Sequence, residues 1–229
     1  MLLLGIGAAT LAAVLVGAPW LDARARIVSR LPTTERVVAL TFDDGPDPRY
    51  TPAVLEVLRD EGVAATFFVT GARVAACAGA VDYRGHLVGF HTYSHRDGRG
   101  SRARAQIADF ERGEEAVPAT WPTHPRCYRS PFGHVRPATV RWADRRGVYL
   151  GWSVCYDALI RDSAPKGGVL PHRERVAALV SRVSPGDIIL LHDGNANGRY
   201  LVEDLPAIIR ELKRRGYRFA TPADFPELR

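Results

Sequence analysis

Two adjacent carboxylates, Asp43 and Asp44, follow an apolar run in the segment T-F-D-D-G-P, directly before a Gly-Pro turn. Successive side chains at the end of a strand diverge, so one carboxylate can bind a metal ion while its neighbour faces a metal-bound water. Taken alone, the segment is equally compatible with an Asx turn or a helix cap before Thr51. It therefore indicates metal chemistry only if further ligands are found.

Two histidines, His91 and His95, stand four residues apart in H-T-Y-S-H. This spacing would bring both imidazoles to one side of a helical turn. Two histidines and one carboxylate suit a site that keeps positions open for water and substrate, as catalytic zinc requires. Zinc is the metal we expect first, although cobalt, manganese and iron accept the same ligands.

Three further polar residues end or follow predicted strands, namely Arg129, Asp157 and His192. The carboxyl ends of parallel strands meet at one face of a barrel, and active sites are built at that face. The sequence therefore predicts one site assembled from distant parts of the chain.

Apolar runs alternate with amphipathic stretches, which implies parallel strands joined by helical crossovers. The predicted strands are 37–42, 64–69, 86–91, 126–129, 148–154, 187–191 and 217–220. The predicted helices are 52–60, 101–115, 137–146, 171–183 and 201–215, with Ser101 capping the second.

The composition bounds the class of protein. The chain has 229 residues, of which 46% are apolar and 24% are charged, so one ordinary globular domain fits and a fibre or a disordered tail does not. The net charge of +6 is spread along the chain, so no nucleic-acid partner is expected. None of the cysteines forms a C-x-x-C pair, and a bridge between Cys77 and Cys127 remains open for an oxidising compartment.

Four ordered motifs resemble those of the polysaccharide deacetylases of the NodB-homology type, a family of carbohydrate esterases. They are T-F-D-D-G-P at 41–46, H-T-x-S-H at 91–95, R-S-P-F-G at 129–133 and L-L-H-D at 190–193. The resemblance covers about residues 36–219. It implies an α/β fold, a distorted (β/α) barrel with about seven parallel strands, and a catalytic domain over 36–229 that removes acetyl groups from N-acetylated sugars.

The resemblance also implies how the central residues divide the reaction. Asp44, His91 and His95 would be the metal ligands, and Asp43 the general base that acts on the metal-bound water. His192 would be the general acid that protonates the leaving amine. The chemistry of the residues agrees, because a metal lowers the pKa of its water and a nearby carboxylate can take the proton.

Three more residues take supporting roles by the same resemblance. Arg129 would orient Asp43 through a charge-assisted hydrogen bond. The backbone N–H of Phe132 would polarise the acetyl carbonyl, at a position where the family has tyrosine and uses only its main chain. Leu190 would contact the acetyl methyl group.

The sequence departs from the family at the motif that follows residue 152. Many relatives have an aspartate followed by a tryptophan that walls the pocket, whereas here Asp157 is followed by Ala158. Asp157 is the acidic residue expected to support His192, with Cys155 as the alternative register for that position. Trp152 is expected to belong to the core rather than to replace the missing wall.

The N-terminal segment has the character of a signal peptide or a membrane anchor. Residues 1–21 carry no charged side chain, and about 20 apolar residues span a bilayer. We therefore predict a signal or membrane-anchor segment at 1–22, a linker at 23–35, and an extracytoplasmic, anchored or secreted enzyme. Arg24, Arg26 and Arg30 follow the apolar run, which by the positive-inside bias would instead leave the rest of the chain in the cytoplasm.

The leading function is therefore metal-dependent N-deacetylation of peptidoglycan, a chitin-like chain or a related N-acetylhexosamine glycan, by attack of a metal-bound water. An O-acetyl carbohydrate esterase and a catalytically silent carbohydrate-binding barrel are the alternatives. Binding of an anionic polymer would rest on the arginine excess alone.

Overall fold

The computed structural model describes residues 26–77, 79, 81–164 and 168–228. The predicted signal or anchor segment at 1–22 lies outside the described residues. Within the described ranges, no helix is long and apolar enough to cross a bilayer.

Strands and helices alternate along the described chain. The strands are β1 (Ile27–Val28), β2 (Val37–Asp43), β3 (Thr66–Val69), β4 (Leu87–Phe90), β5 (Cys127–Tyr128), β6 (Val148–Leu150), β7 (Val154–Cys155), β8 (Ile188–His192) and β9 (Arg218–Phe219). The helices are α1 (Thr51–Asp60), α2 (Gly71–Cys77), α3 (Ala103–Ala116), α4 (Pro137–Asp144), α5 (Tyr156–Ser163), α6 (His172–Val180) and α7 (Gly198–Arg214).

The strands pair in parallel in the order β1-β6-β5-β4-β3-β2-β8-β7, and β9 pairs with the start of β2. The sheet curls into a half-barrel with helices packed against it. This arrangement confirms the predicted α/β class and the distorted (β/α) barrel. Because the strands are parallel, their carboxyl ends form one edge, where β2 sits between β3 and β8.

Strand β2 is buried along its whole length, and its residues alternate between two cores. Val38, Leu40 and Phe42 pack in the larger cluster, which also contains the apolar faces of α1 and α7. Val37 and Ala39 pack in a second cluster with residues of β1, β5 and β6. Since side chains of a strand alternate between its faces, Asp43 lies on the same face as Val37 and Ala39.

The predicted strand at 148–154 is two strands, because residues 151–153 leave the sheet and the chain bends at Ser153. Strand β6 pairs with β1 and β5, whereas β7 pairs with β8 on the other side of the sheet. Ser153 holds the bend, since its hydroxyl lies 2.6 Å from Asp187 Oδ1 and its N–H donates to Ile188 O. Trp152 therefore lies in a connection and not within a strand.

Two other features differ from the predictions. Helices α2 and α5 were not predicted, because they are only seven and eight residues long. Ser101 does not cap α3, which begins after Arg102 without a side-chain cap. Residues before position 36 also pack onto the sheet, since β1 pairs with β6 and Leu31 is buried.

The cysteine bridge left open by the sequence is not formed. Cys77, Cys127 and Cys155 are all free. Cys77 ends α2 and contacts the carbonyl of Arg73, whereas Cys127 is buried in β5 against the carbonyl of Pro125. The two thiols thus belong to different elements and have different partners.

Candidate active site

Asp43 is held in place by a fully buried arginine. Arg129 Nη1 donates to Asp43 Oδ1 at 2.7 Å and to the Thr41 hydroxyl at 2.9 Å. The same guanidinium donates to the carbonyls of Leu150 and Gly151, which the bend between β6 and β7 presents to it. Four acceptors therefore fix this arginine, and through it one oxygen of Asp43.

Asp44 turns away from the strand that carries Asp43. Its φ of 76° lies in the left-handed region, which few residues other than glycine adopt. The turn brings Asp44 Oδ1 to 2.7 Å from His95 Nε2 and 3.4 Å from His91 Nε2. Asp44 thus faces both histidines, whereas Asp43 is held by Arg129 and has Oδ2 3.7 Å from His91 Nε2.

The two histidines meet in a loop and not in the helical turn that their four-residue spacing would suit. Thr92 and His95 have φ values of 63° and 53°, and the segment is a loop. The loop is tied to α2 through the carbonyls of residues 92 and 93, and Asp109 of α3 accepts from the Ser94 hydroxyl at 2.7 Å. These contacts bring the two imidazole centroids to 5.2 Å.

Asp44, His91 and His95 fit a divalent metal ion. His91 Nδ1 lies 2.8 Å from the carbonyl oxygen of Arg129, which only accepts, so the ring proton sits on Nδ1 and Nε2 carries a free lone pair. A backbone partner on the second ring nitrogen is typical of metal-binding histidines. Asp44 Oδ1 is buried without a hydrogen bond of good geometry, and the three ligand atoms all lie within 4.8 Å of one another.

Charge also suits Asp44 to this task. Burial by itself would raise the pKa of Asp44, but the contacts with His91 and His95 hold it well below its usual range. The carboxylate is therefore ionised, as a metal ligand must be.

His192 lies on the other side of Asp43. The register between β2 and β8 pairs Asp43 with His192, so both side chains leave neighbouring strands at one level. His192 Nδ1 forms an ion pair with Asp157 Oδ2, and Asn197 Nδ2 donates to Asp157 Oδ1 at 3.1 Å. Burial works to lower the pKa of His192, but Asp157 and the negative charge of Asp43 raise it to about 9.

The structure brings Asp157, and not Cys155, to His192. Asp157 lies in the first turn of α5, directly after β7, whereas Cys155 is the last residue of that strand. Between the two registers left open by the sequence, the geometry therefore favours Asp157.

Phe132, Leu190 and Trp152 lie around this centre. Phe132 has a φ of 58° and is 60% exposed, with its ring centroid 5.1 Å from that of His95. Leu190 is buried on β8, on the same face as His192. Trp152 is half-buried, and a Cβ placed on Gly133 would come within 2.8 Å of its ring. Trp152 thus contacts the turn that carries Phe132 as well as the core.

Two residues of the site were missed by the sequence reasoning. Asp193 is buried, accepts the Thr51 hydroxyl at 2.5 Å, and would clash with any Cβ at Gly45. Burial, with the charges of nearby aspartates, raises the pKa of Asp193 to about 7. Its place in L-L-H-D was a signal for it, whereas nothing in the sequence indicated that Asn197 would hold Asp157.

Comparisons with known proteins agree with this geometry. Residues 30–150 match the family model described as polysaccharide deacetylase. A peptidoglycan-N-acetylglucosamine deacetylase of Bacillus cereus is 36% identical over 85% of this chain and 90% of its own. A chitooligosaccharide deacetylase of Sinorhizobium fredii is 34% identical over 74% of this chain and 77% of its own.

A solved structure shares the fold. It is a peptidoglycan N-acetylglucosamine deacetylase in complex with 4-naphthalen-1-yl-N-oxidanyl-benzamide, with a TM-score of 0.76 and 28% sequence identity. The similarity covers 88% of this chain and 92% of that one.

Proposed function

Because the chain belongs to the polysaccharide deacetylase family, we propose that it removes acetyl groups from N-acetylated sugars of peptidoglycan or a related N-acetylhexosamine glycan, with a divalent metal as cofactor. The family model and the relatives confirm the family that the four motifs resemble. One observation carries the proposal. His91 Nε2, His95 Nε2 and Asp44 Oδ1 converge beside Asp43, and His192 lies across from them with its own carboxylate partner.

Asp44, His91 and His95 would hold the metal, and zinc is the ion that two imidazoles and one carboxylate suit best. The bound metal would polarise the acetyl carbonyl and lower the pKa of a water molecule. The left-handed turn at Asp44 directs its carboxylate toward the histidines and leaves Asp43 available for another task.

Asp43 would act as the general base that takes a proton from the attacking water. Arg129 occupies Oδ1 of Asp43, so Oδ2 is the oxygen left for the proton. The hydrogen bonds from Arg129 also fix the carboxylate, which avoids the cost of orienting it in the transition state.

His192 would act as the general acid that protonates the leaving amine. With a pKa of about 9, its imidazole carries the proton at neutral pH, as a general acid must. Asp157 holds Nδ1 and leaves Nε2 for the proton transfer. The Phe132 N–H would donate to the acetyl oxygen, and Leu190 would pack against the acetyl methyl group.

Acetate release is the test of this proposal. The substrates would be N-acetylglucosamine oligomers, peptidoglycan and acetylxylan, each with chelator, without it, and with metal restored. We expect release from the N-acetylated substrates, loss with chelator, and recovery with zinc. Release from acetylxylan alone would identify an O-acetyl esterase, and binding of oligomers without any release would identify a silent carbohydrate-binding barrel.

We also propose that the domain acts outside the cytoplasm, because several of the relatives that it matches are named for peptidoglycan. A fusion of alkaline phosphatase to the C-terminus tests this, since that enzyme is active only in an oxidising compartment. Inactive phosphatase with a full-length fusion would favour the cytoplasmic orientation that the basic residues after the apolar segment indicate.

A further inference from the structure

An open pocket of about 430 Å³ lies on the His192 side of the site and is lined largely by cationic and amide side chains. We call it the arginine pocket. Its lining comprises Arg49, Tyr50, Arg73, Gly194, Asn195, Ala196, Asn197 and Arg199. None of these described lining residues is acidic.

A buried carboxylate holds two of the arginines in place. Asp47 accepts from Arg49 Nε and Nη2 at 2.9 and 2.7 Å, and from Arg73 Nη1 at 2.9 Å. Both guanidinium groups keep further N–H donors, because each has five and these contacts use only one or two. Asp47 thus orients two cations while neutralising one charge.

The third arginine has a neutral partner. Arg199 Nη2 donates to the Tyr200 hydroxyl at 2.6 Å, and its guanidinium lies 4.4 Å from the centre of the Tyr200 ring. The three arginines and the single carboxylate of Asp47 together give the pocket a charge of about +2. Guanidinium groups bind carboxylates through two parallel hydrogen bonds, so the pocket suits a carboxylate better than a neutral sugar hydroxyl.

The arginine pocket adjoins the candidate active site. Gly194 packs so closely on the backbone of Asp44 that it leaves no room for a Cβ. Asn197, on the same wall, donates to the Asp157 that pairs with His192. A glycan whose acetyl group lies between Asp43 and His192 would therefore bring a neighbouring sugar toward the arginines.

We propose that the arginine pocket binds a carboxylate carried by the sugar next to the one that is deacetylated. This inference rests on the proposed function and narrows its substrate class to glycans with acidic substituents. Peptidoglycan fits this description because alternate sugars bear a lactyl group that ends in a carboxylate or in a peptide, whereas chitin is uncharged.

The test compares three tetrasaccharides with the metal-loaded enzyme. One alternates N-acetylglucosamine with N-acetylmuramic acid and has free lactyl carboxylates, the second is its methylamide, and the third is chitotetraose. We expect kcat/KM for the free acid to exceed that for the methylamide by about three- to tenfold, mainly because KM is lower. This ratio should fall with added salt, because salt screens the charges. Arg199→Gln should bring this ratio close to one, and Arg199→Lys should restore part of it.

A matched control removes the same charge elsewhere. Arg182 is exposed and precedes β8, so it lies at the opposite edge of the sheet, and Arg182→Gln should keep the ratio between free acid and methylamide. A ratio near one in the unaltered enzyme, or the same ratio in Arg199→Gln, would overturn the proposal.

Failure of the proposed function gives a different result. If none of the three substrates releases acetate, calorimetric binding of the free acid and the methylamide decides the question without turnover. Tighter binding of the free acid that Arg199→Gln abolishes would support the pocket, and equal binding of the two would reject it.

Discussion

Two clusters of histidine and carboxylate occur in the described chain, and only one is suited to a metal. The first is Asp44, His91 and His95, and the second is His172, Glu203 and Asp204. In both, three possible ligand atoms lie within 4.8 Å of one another. The first offers two histidines and one carboxylate, and the second offers one histidine and two carboxylates, so by ligand separation alone either could hold a metal.

The clusters differ in whether an arginine binds their own carboxylates. Arg175 donates to both oxygens of Asp204 at 2.7 Å and to Glu203 at 2.5 Å, so it occupies the lone pairs that a metal would need. The Tyr156 hydroxyl also bonds to Asp204. In the first cluster, Arg129 instead binds the neighbouring carboxylate, Asp43, and leaves Asp44 to the histidines. A metal site therefore requires the absence of a competing cation as well as the presence of ligands.

The largest expected effect is loss of the metal from the first cluster. Asp44→Ala, His91→Ala and His95→Ala should each reduce bound zinc from about one per chain to near zero and lower acetate release by at least about a thousandfold, because three protein ligands are the usual minimum of a catalytic site. Elemental analysis after dialysis measures the first effect and an acetate assay the second. Full zinc content in all three variants would show that the cluster is not the metal site.

Asp43→Asn should separate catalysis from metal binding. The amide keeps the shape of the side chain but cannot take a proton, so turnover should fall by about a hundred- to ten-thousandfold while zinc content is unchanged. Near-normal turnover at saturating zinc would remove Asp43 as the general base.

Asp157→Asn should lower turnover by about ten- to ten-thousandfold and change its pH dependence. His192 must be protonated to act as an acid, so activity is lost as pH rises through its pKa, which is about 9 with Asp157 present. Without the negative charge of Asp157 that pKa falls, and the high-pH limb of the kcat profile should move down by about one to two units.

Cys155→Ser is the matched control for this variant, because it changes a neighbouring residue that is not paired with His192. We expect turnover and the pH profile to stay close to those of the unaltered enzyme. If Cys155→Ser had the larger effect, the pairing of His192 with Asp157 would not support catalysis.

The second cluster should respond in stability. Arg175→Met leaves the fully buried Asp204 without its arginine, which should lower the free energy of unfolding by about 3 kcal/mol or more. Urea denaturation followed by tryptophan fluorescence measures this. Zinc content per chain should stay at about one, and its loss in Arg175→Met would mean that the second cluster contributes to metal binding.

The smallest expected effect is that of His172→Ala. This histidine lies at the edge of the second cluster with 38% of its side chain exposed, so its ion pair with Asp204 is screened by water. We expect a change in unfolding free energy within about 1 kcal/mol and the same zinc content. A fall in zinc content would show that the second cluster also contributes to metal binding.

Much of this arrangement could be predicted from the sequence because it depends on local pattern. The apolar runs of β2 and β8 and the amphipathic spacing of α7 indicate their elements directly, and the motifs mark Asp43, Asp44, His91, His95 and His192 as residues of one site. Strand alternation then requires Asp43 and the residue that follows it to diverge.

Only the tertiary structure decided how these residues meet. The H-T-Y-S-H spacing would suit a helical turn, but contacts with α2 and α3 hold a loop with left-handed residues, because bonds to neighbouring elements outweigh local propensity. The connection between β6 and β7 turns the carbonyls of Leu150 and Gly151 toward Arg129, and α5 carries Asp157 to His192. The pairing of Arg129 with Asp43 and that of Arg175 with Asp204 likewise join residues that are far apart in the chain. The sequence by itself determined which side chains are available for chemistry. The packing determined which carboxylate lone pairs are left free for a metal or a proton, because the cations that neutralise a carboxylate are neighbours that the fold supplies.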